Sequence, residues 1–176
     1  MNIPISLGTH EDDAAALSRL INLVYASAEA GMWKEYDGAA MPRTSAEEVQ
    51  LLLSNQRLLL ARHAKEPVGC VCVQMLSDDI AEFGLLVAHP ELRGKGIGRD
   101  LVTAAENYGR ERGARVMQLE LLTPKDWEHP VKRFLHRWYT RIGYVPIRTE
   151  PFARSYGHLA DHLSTPCNFT VYHKGL

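Results

Sequence analysis

An α/β fold built on a mixed, twisted sheet of about six to seven strands, with helices on both faces, is what this sequence predicts. Three observations predict it. Apolar residues recur at helical spacing in several segments, short apolar runs bounded by turn residues lie between them, and a glycine-rich loop joins one strand to one helix. With 176 residues, 45% apolar and 23% charged, the chain suits one core, so a single domain over 1–176 is expected.

Leu17, Leu20, Ile21, Val24 and Ala28 share one helix face, so a helix starts near Glu11, with a first strand before it around 3–7. After Gly31 the aromatics of Met32-Trp-Lys-Glu-Tyr-Asp-Gly38 keep no period, and a loop or a short irregular helix is expected there, closed by Pro42. Ser45 and Glu48 have capping-box spacing, and Val49, Leu52 and Leu53 mark the buried face of a short second helix. Strands over 58–62 and 68–75 follow, joined by a link of hairpin length, then a turn at 77–79 and a strand over 81–88.

Residues 89–92 lead into the glycine loop. Ile97, Leu101, Ala104, Ala105 and Tyr108 then make the stripe of a helix that stops at Gly113, and a strand over 115–122 comes next. Pro130 suits the first position of a helix over 130–142, whose buried stripe would be Val131, Phe134, Leu135, Trp138 and Ile142, with Gly143 as its stop. Strands over 144–149 and 168–173 complete the set, separated by a longer connection.

Charge narrows the partners. Twenty basic against 21 acidic residues give a formal net charge of -1, too even a balance to hold a nucleic acid or a membrane surface. Cys70, Cys72 and Cys167 make no disulfide framework, and the first residues lack the pattern of a signal peptide. A cytoplasmic protein is the expectation, and a homodimer is compatible with it. His158, His162 and Cys167 can be drawn as metal ligands, but no further His or Cys pair completes a tetrahedral shell, so no metal is expected.

The loop Arg93-Gly-Lys-Gly-Ile-Gly98 is the most informative segment. Glycines let backbone N–H groups approach a ligand, the helix N-terminus favours an anion, and Arg93 and Lys95 add charge suited to a diphosphate. A Walker loop needs Lys-Ser or Lys-Thr after its last glycine, whereas Arg99 and Asp100 stand there. Gly94-x-Gly96-x-Gly98 misses dinucleotide spacing by one residue, which leaves a nucleotide-binding oxidoreductase as a rival.

The run from Glu82 and Gly84 through Val87, Pro90, Arg93, Gly96 and Gly98 resembles the central signature of the GNAT acetyltransferase superfamily. Trp138-Tyr139-Thr-Arg-Ile-Gly143-Tyr144 is similar to that family's downstream aromatic-Tyr-x-x-x-Gly-aromatic segment. The resemblance covers about 58–144. It implies a GNAT acyl-CoA fold in which two parallel strands, 81–88 and 115–122, splay apart and acetyl-CoA lies in the gap. Its pantetheine arm would meet Leu85, Leu86 and Val87, and its pyrophosphate the amides of Arg93, Gly94, Lys95, Gly96, Ile97 and Gly98. Where many relatives carry an Asn and a small residue on the last helix, this protein has Lys132 and Leu135. Lys132 or Arg133 would then meet a phosphate instead.

The implied activity is acetyl transfer from acetyl-CoA to a primary amine of a small molecule or peptide. An alkyl ammonium holds its proton up to about pH 10, so a base is needed. Glu82 on the cleft strand is the candidate base, with an ordinary strand carboxylate as the alternative. The backbone N–H of Val87 would hold the oxyanion. Tyr139 carries over as the acid for the leaving thiolate, with plain helix packing as its alternative. The acceptor wall would include Met32, Trp33, Glu35, Tyr36 and Asp37, faced by Trp127. A non-catalytic acyl-CoA-binding module is the reading of another class.

Overall fold

The computed structural model describes residues 3–176. In sequence order its elements are β1 (Ile5–Leu7), α1 (Ala14–Ala28), β2 (Glu35–Tyr36), β3 (Ala39–Ala40), α2 (Ala46–Ser54), β4 (Leu58–His63), β5 (Glu66–Met75) and β6 (Ile80–Ala88). A 3-10 turn (Pro90–Leu92), α3 (Ile97–Glu111), β7 (Val116–Pro124), α4 (Pro130–Arg141), β8 (Val145–Pro151), α5 (Phe152–Ser155), α6 (Gly157–Ala160) and β9 (Cys167–Gly175) follow. They fall into two compact units. One comprises the residues up to Tyr25, Pro42–Met117 and Leu176; the other Ala26–Met41 and Gln118–Gly175.

In the first unit β1, β4, β5 and β6 lie side by side in that order, each antiparallel to its neighbour. Alternation along a strand sends successive side chains to opposite faces. Leu58, Leu60, Cys70 and Cys72 therefore pack on one face against Leu17, Leu20 and Ile21 of α1 and Val49 and Leu53 of α2. The other face takes α3. A Cβ at Gly69 would lie 3.0 Å from Ile97 and 3.1 Å from Leu101, so only glycine lets that helix approach β5 so closely. The capping box forms: Glu48 N–H donates to Ser45 Oγ at 3.1 Å, and Ser45 N–H to Glu48 Oε2 at 3.0 Å.

In the second unit β9 lies between β7 and β8, and β8 and β9 are antiparallel. Met32, Leu122, Phe152 and Cys167 are buried together, and Phe152, Tyr156 and Phe169 form an aromatic set with centroids 5.0–5.3 Å apart. The six to seven expected sheet strands are thus present, four in the first unit and three in the second.

Two expectations are corrected and a third gains detail. The stretch after Gly31 holds no helix: it is irregular to Lys34 and then forms a hairpin, β2 and β3, turned through Asp37 and Gly38, both at positive φ. The connection before β9 holds two helices of four residues each, α5 and α6. On α4 the buried residues are Lys132 and Tyr139, while Phe134 is 60% exposed, so the expected apolar stripe is not the buried face.

Candidate active site

The glycine loop follows β6 and opens α3. Gly94 and Gly96 have φ of +80° and +85°, a region in which a Cβ meets the backbone, so glycine is required for this turn. Gly96 is the N-cap of α3, and the helix start is left uncapped by any side group. The first N–H groups of a helix have no intrahelical partner, and the axial dipole adds positive potential at that end. An anion fits this cradle, and a Cβ at Gly94 would find nothing within 4 Å. The cradle is smaller than the sequence suggests. Arg93 N–H and Lys95 N–H donate to Pro90 C=O and Leu92 C=O, each at 3.2 Å, which leaves the amides of Gly94, Gly96, Ile97 and Gly98. Asp100, in the first helical turn, is paired with Arg99 at 3.3 Å.

Upstream, β6 is not a regular strand. Cys72 pairs with Gly84 and Cys70 with Val87, so Leu85 and Leu86 stand opposite the single residue Val71. This is a β-bulge, a device that bends a strand and re-aims its polar groups. Leu85 absorbs it with φ of +47°. The bulge corrects the role given to Val87. Its carbonyl would lie 2.8 Å from a Cβ on Gly69, so it faces β5, and His89 N–H donates to Val68 C=O at 2.8 Å on the same side. The N–H of a strand residue points the way its carbonyl does, so Val87 is directed to β5, whereas alternation turns Ala88 to the opposite edge.

Glu82 lies on the α1/α2 face of β6, directly across from Gln74 of β5. Gln74 Nε2 donates to Glu82 Oε1 at 3.0 Å, and Arg57 donates to the Gln74 carbonyl. Two residues along the same face, a Cβ at Gly84 would touch nothing within 4 Å, so the strand leaves open space beside the carboxylate. Cys70 and Cys72 are buried free thiols. Burial, with Cys72 beside it, pushes Cys70 up to about 12, so it is a neutral packing group.

The remaining predicted residues lie in the second unit. Tyr139 is buried among Trp138, Tyr144 and Tyr172, with centroids 5.0, 6.1 and 6.4 Å away. Lys132 does not offer its charge to a phosphate. Its Nζ is buried 2.8 Å from Glu29 Oε1, and the second oxygen of Glu29 accepts Trp33 Nε1–H at 2.6 Å. Trp33 and the fully buried Met32 therefore anchor the wall, while Glu35, Tyr36 and Asp37 are its exposed members.

Trp127 does face this segment, its ring 3.7 Å from where a Gly31 Cβ would stand, with Nε1–H donating to Thr165 Oγ1 at 3.3 Å. The wall also has a strand-like partner that no sequence pattern indicates. Ser164 N–H donates to Met32 C=O at 3.0 Å, Lys34 N–H donates to His162 C=O at 2.8 Å, and Tyr36 Oη meets His162 Nδ1 at 2.9 Å. A cavity of about 380 Å³ opens between Ala153 of α5, Ala160 of α6 and Cys167 of β9, and none of Trp33, Tyr36 and Trp127 lines it. Burial, with Glu29 next, pushes Cys167 up to about 11. Among the described residues no group of three His, Cys, Asp or Glu could hold a metal ion, and no helix is long and apolar enough to cross a membrane.

Glu29 and His129 in the second unit, and Gln74 and Arg57 in the first, come beside predicted residues only in the structure. His129 has a local signal, since it precedes Pro130 and caps α4 by accepting Val131 N–H on Nδ1 at 3.2 Å. Glu29 pairs with Lys132 from 103 residues away, and Gln74 meets Glu82 and Arg57 only through the pairing of neighbouring segments.

Solved structures share this fold. The aminoglycoside 6'-N-acetyltransferase from Enterococcus faecium aligns with a TM-score of 0.71 at 18% identity, over 98% of this protein and 97% of its own length. The yncA protein from Salmonella typhimurium, solved with its cofactor acetyl-CoA, aligns at 0.68 and 16%, over 100% and 95%. A subunit of the NatC complex bound to Gag peptide and CoA aligns at 0.66 and 16%, over 100% and 99%. No curated protein sequence is matched. The acetyltransferase (GNAT) family model matches residues 25–144, a span that includes β6, the glycine loop and α4. The protein belongs to the GNAT family of acetyltransferases.

Proposed function

We propose that this protein, as one acetyltransferase domain over 1–176, moves the acetyl group of acetyl-CoA directly to a primary amine of a small molecule or peptide. The observation that carries the reading is the uncapped start of α3, where Gly94 and Gly96 in the left-handed region leave four amides for a diphosphate. The side groups of Arg93 and Lys95 supply positive charge around it. The structural neighbours support the choice of cosubstrate, since yncA holds acetyl-CoA and the NatC complex holds CoA.

Acetyl-CoA supplies an activated acyl carbon whose leaving group is a thiolate. Glu82 takes one proton from the incoming ammonium, so that the neutral nitrogen can form the C–N bond as the C–S bond breaks, and the nitrogen sheds its second proton to solvent as the adduct collapses to the amide. Backbone N–H groups at the bulge, on Leu86 and Ala88 rather than Val87, hold the oxyanion and the pantetheine arm along Leu85 to Ala88. Tyr139 returns a proton to the departing sulfur, giving an amide and free CoA thiol. Trp33, Tyr36 and Trp127 wall the acceptor, and the acidic side chains of Glu35 and Asp37 suit a cationic one. Lys132 has no part in holding phosphate.

Two measurements test this. Acetyl-CoA and CoA, but not NAD, should raise the melting temperature, because a ligand at about 100 times its Kd adds about 2.7 kcal/mol. Thiol release over aminoglycosides, polyamines, amino acids and short peptides should find an acceptor, and Tyr139→Phe should slow turnover without loss of CoA binding. Stabilisation by CoA with no acetylation of any amine would favour a sensor instead.

A further inference from the structure

We infer that Gln74 and Arg57 are positioning residues for Glu82, a relay of three residues that fixes the direction in which the carboxylate receives the amine proton. The inference deepens the proposed function and rests on Glu82 being the base.

Three observations carry it. First, Gln74 and Glu82 are directly opposed in the β5/β6 register, where cross-strand side chains are at their closest, and Gln74 Nε2 meets Glu82 Oε1 at 3.0 Å. Second, the Gln74 amide has only one useful orientation. Arg57 donates to its carbonyl oxygen, and a guanidinium has no acceptor, so a flipped amide would set NH2 against Arg57 and oxygen against the carboxylate. The charge of Arg57 thus decides which end of the amide Glu82 sees. Third, Arg57 is itself committed. Its backbone carbonyl accepts Val73 N–H at 2.8 Å, and its Nε is buried with no hydrogen-bond partner among the described residues.

Burying that nitrogen unpaired is unfavourable, so the guanidinium gains from the partner it has on Gln74. The face these groups share continues that of the apolar cluster through Cys72 to Gly84, whose missing side chain leaves room beside Glu82. A carboxylate whose Oε1 meets a polarised amide has its direction into that space fixed. Positioned bases gain from such a second layer because a small loss of alignment costs rate more than binding.

The test is a double-mutant cycle on thiol release from acetyl-CoA with the best amine of the panel above, using Gln74→Met, Glu82→Gln and the pair. Gln74→Met should lower kcat about tenfold or more, with KM for acetyl-CoA unchanged and no further loss once Glu82 is already Gln. An equal loss in the Glu82→Gln background would mean that Gln74 acts as packing, and an unchanged kcat in Gln74→Met beside an impaired Glu82→Gln would overturn the positioning role. Full activity in Glu82→Gln sinks the base reading and this inference with it. Should Gln74→Met fail to fold, Arg57→Lys replaces it in the same cycle. Independently of any acceptor, the side-chain amide resonances of Gln74 should shift in Glu82→Gln and in Arg57→Lys; resonances that ignore both substitutions would refute the relay.

Discussion

Breaking the buried pair between Lys132 and Glu29 gives the sharpest test of how the second unit is held. Both side chains are nearly inaccessible, 6% and 9% exposed, and 2.8 Å apart. Glu29 also accepts the Trp33 indole N–H, so a single carboxylate ties the segment before β2 to α4. Lys132→Met strands a buried carboxylate with one neutral donor, and removing one partner of a buried pair costs about 3–5 kcal/mol. For a protein of this size each kcal/mol moves Tm by about 2–4 °C, so the loss is about 6–20 °C. Glu29→Gln strands the ammonium instead and should cost a comparable amount. The double variant keeps an oxygen for Trp33 and buries no charge, so it should regain most of the stability. Urea titrations of the four proteins close the cycle. Single losses below about 1 kcal/mol, or costs that simply add, would refute the assignment of that energy to the pair.

Gly69→Ala should destabilise by about 1–3 kcal/mol, since its Cβ would sit 2.8 Å from the Val87 carbonyl and 3.0 Å from Ile97; a melting point equal to wild type would show that β5 and α3 yield easily. Gly84→Val should do the reverse for the fold, holding or raising Tm because a β-branched residue suits a strand, while it lowers turnover by filling the space beside Glu82; undiminished thiol release would remove that space from the site. His129→Asn separates cap from titration. Burial first, then the charge of Lys132, holds His129 below its ordinary value of 6.5, and its Nδ1 must stay bare to accept Val131 N–H. With a depressed folded value the unfolded state takes the proton first, so this contribution is present above about pH 6.5 and is lost as pH falls further. Asn keeps the cap without the titration, so urea midpoints between pH 7.5 and 5 should fall less than in wild type, and parallel curves would exclude His129 as a source of acid sensitivity.

What the sequence made legible was local. The capping box at Ser45 and Glu48 and the turn at Gly94 and Gly96 each lie within a few residues and formed as read, and the expected stripes of α1 and α3 are buried at Leu17, Leu20 and Ile21 and at Ile97, Leu101 and Ala105. The hairpin of β2 and β3 was also local and was missed, although Asp37-Gly38 is a preferred pair for a two-residue turn with both φ positive. Strands of two residues are too short for periodicity to register, so the turn was the only signal. The bulge offered none. Such a left-handed position usually falls to glycine, and here Leu85 takes it. The pairing of Lys132 with Glu29 joins residues 103 apart in sequence, and no pattern within α4 announces a buried ammonium.

The departure at Leu85 bears on β6 itself. A sequence that satisfies every local preference folds without strain, so departures persist where something else compensates for them. Leu85 in the left-handed region costs about 1–2 kcal/mol, yet the bulge it makes is what sets Val87 toward β5 and so, by alternation, Ala88 away from it. A regular β6 would set Leu86 opposite Cys70 and shift Val87 out of the apolar cluster in which it is buried. The strain at Leu85 therefore keeps Val87 in the core and sets which residues of β6 turn away from β5, the edge on which the proposed reaction needs a donor for its oxyanion.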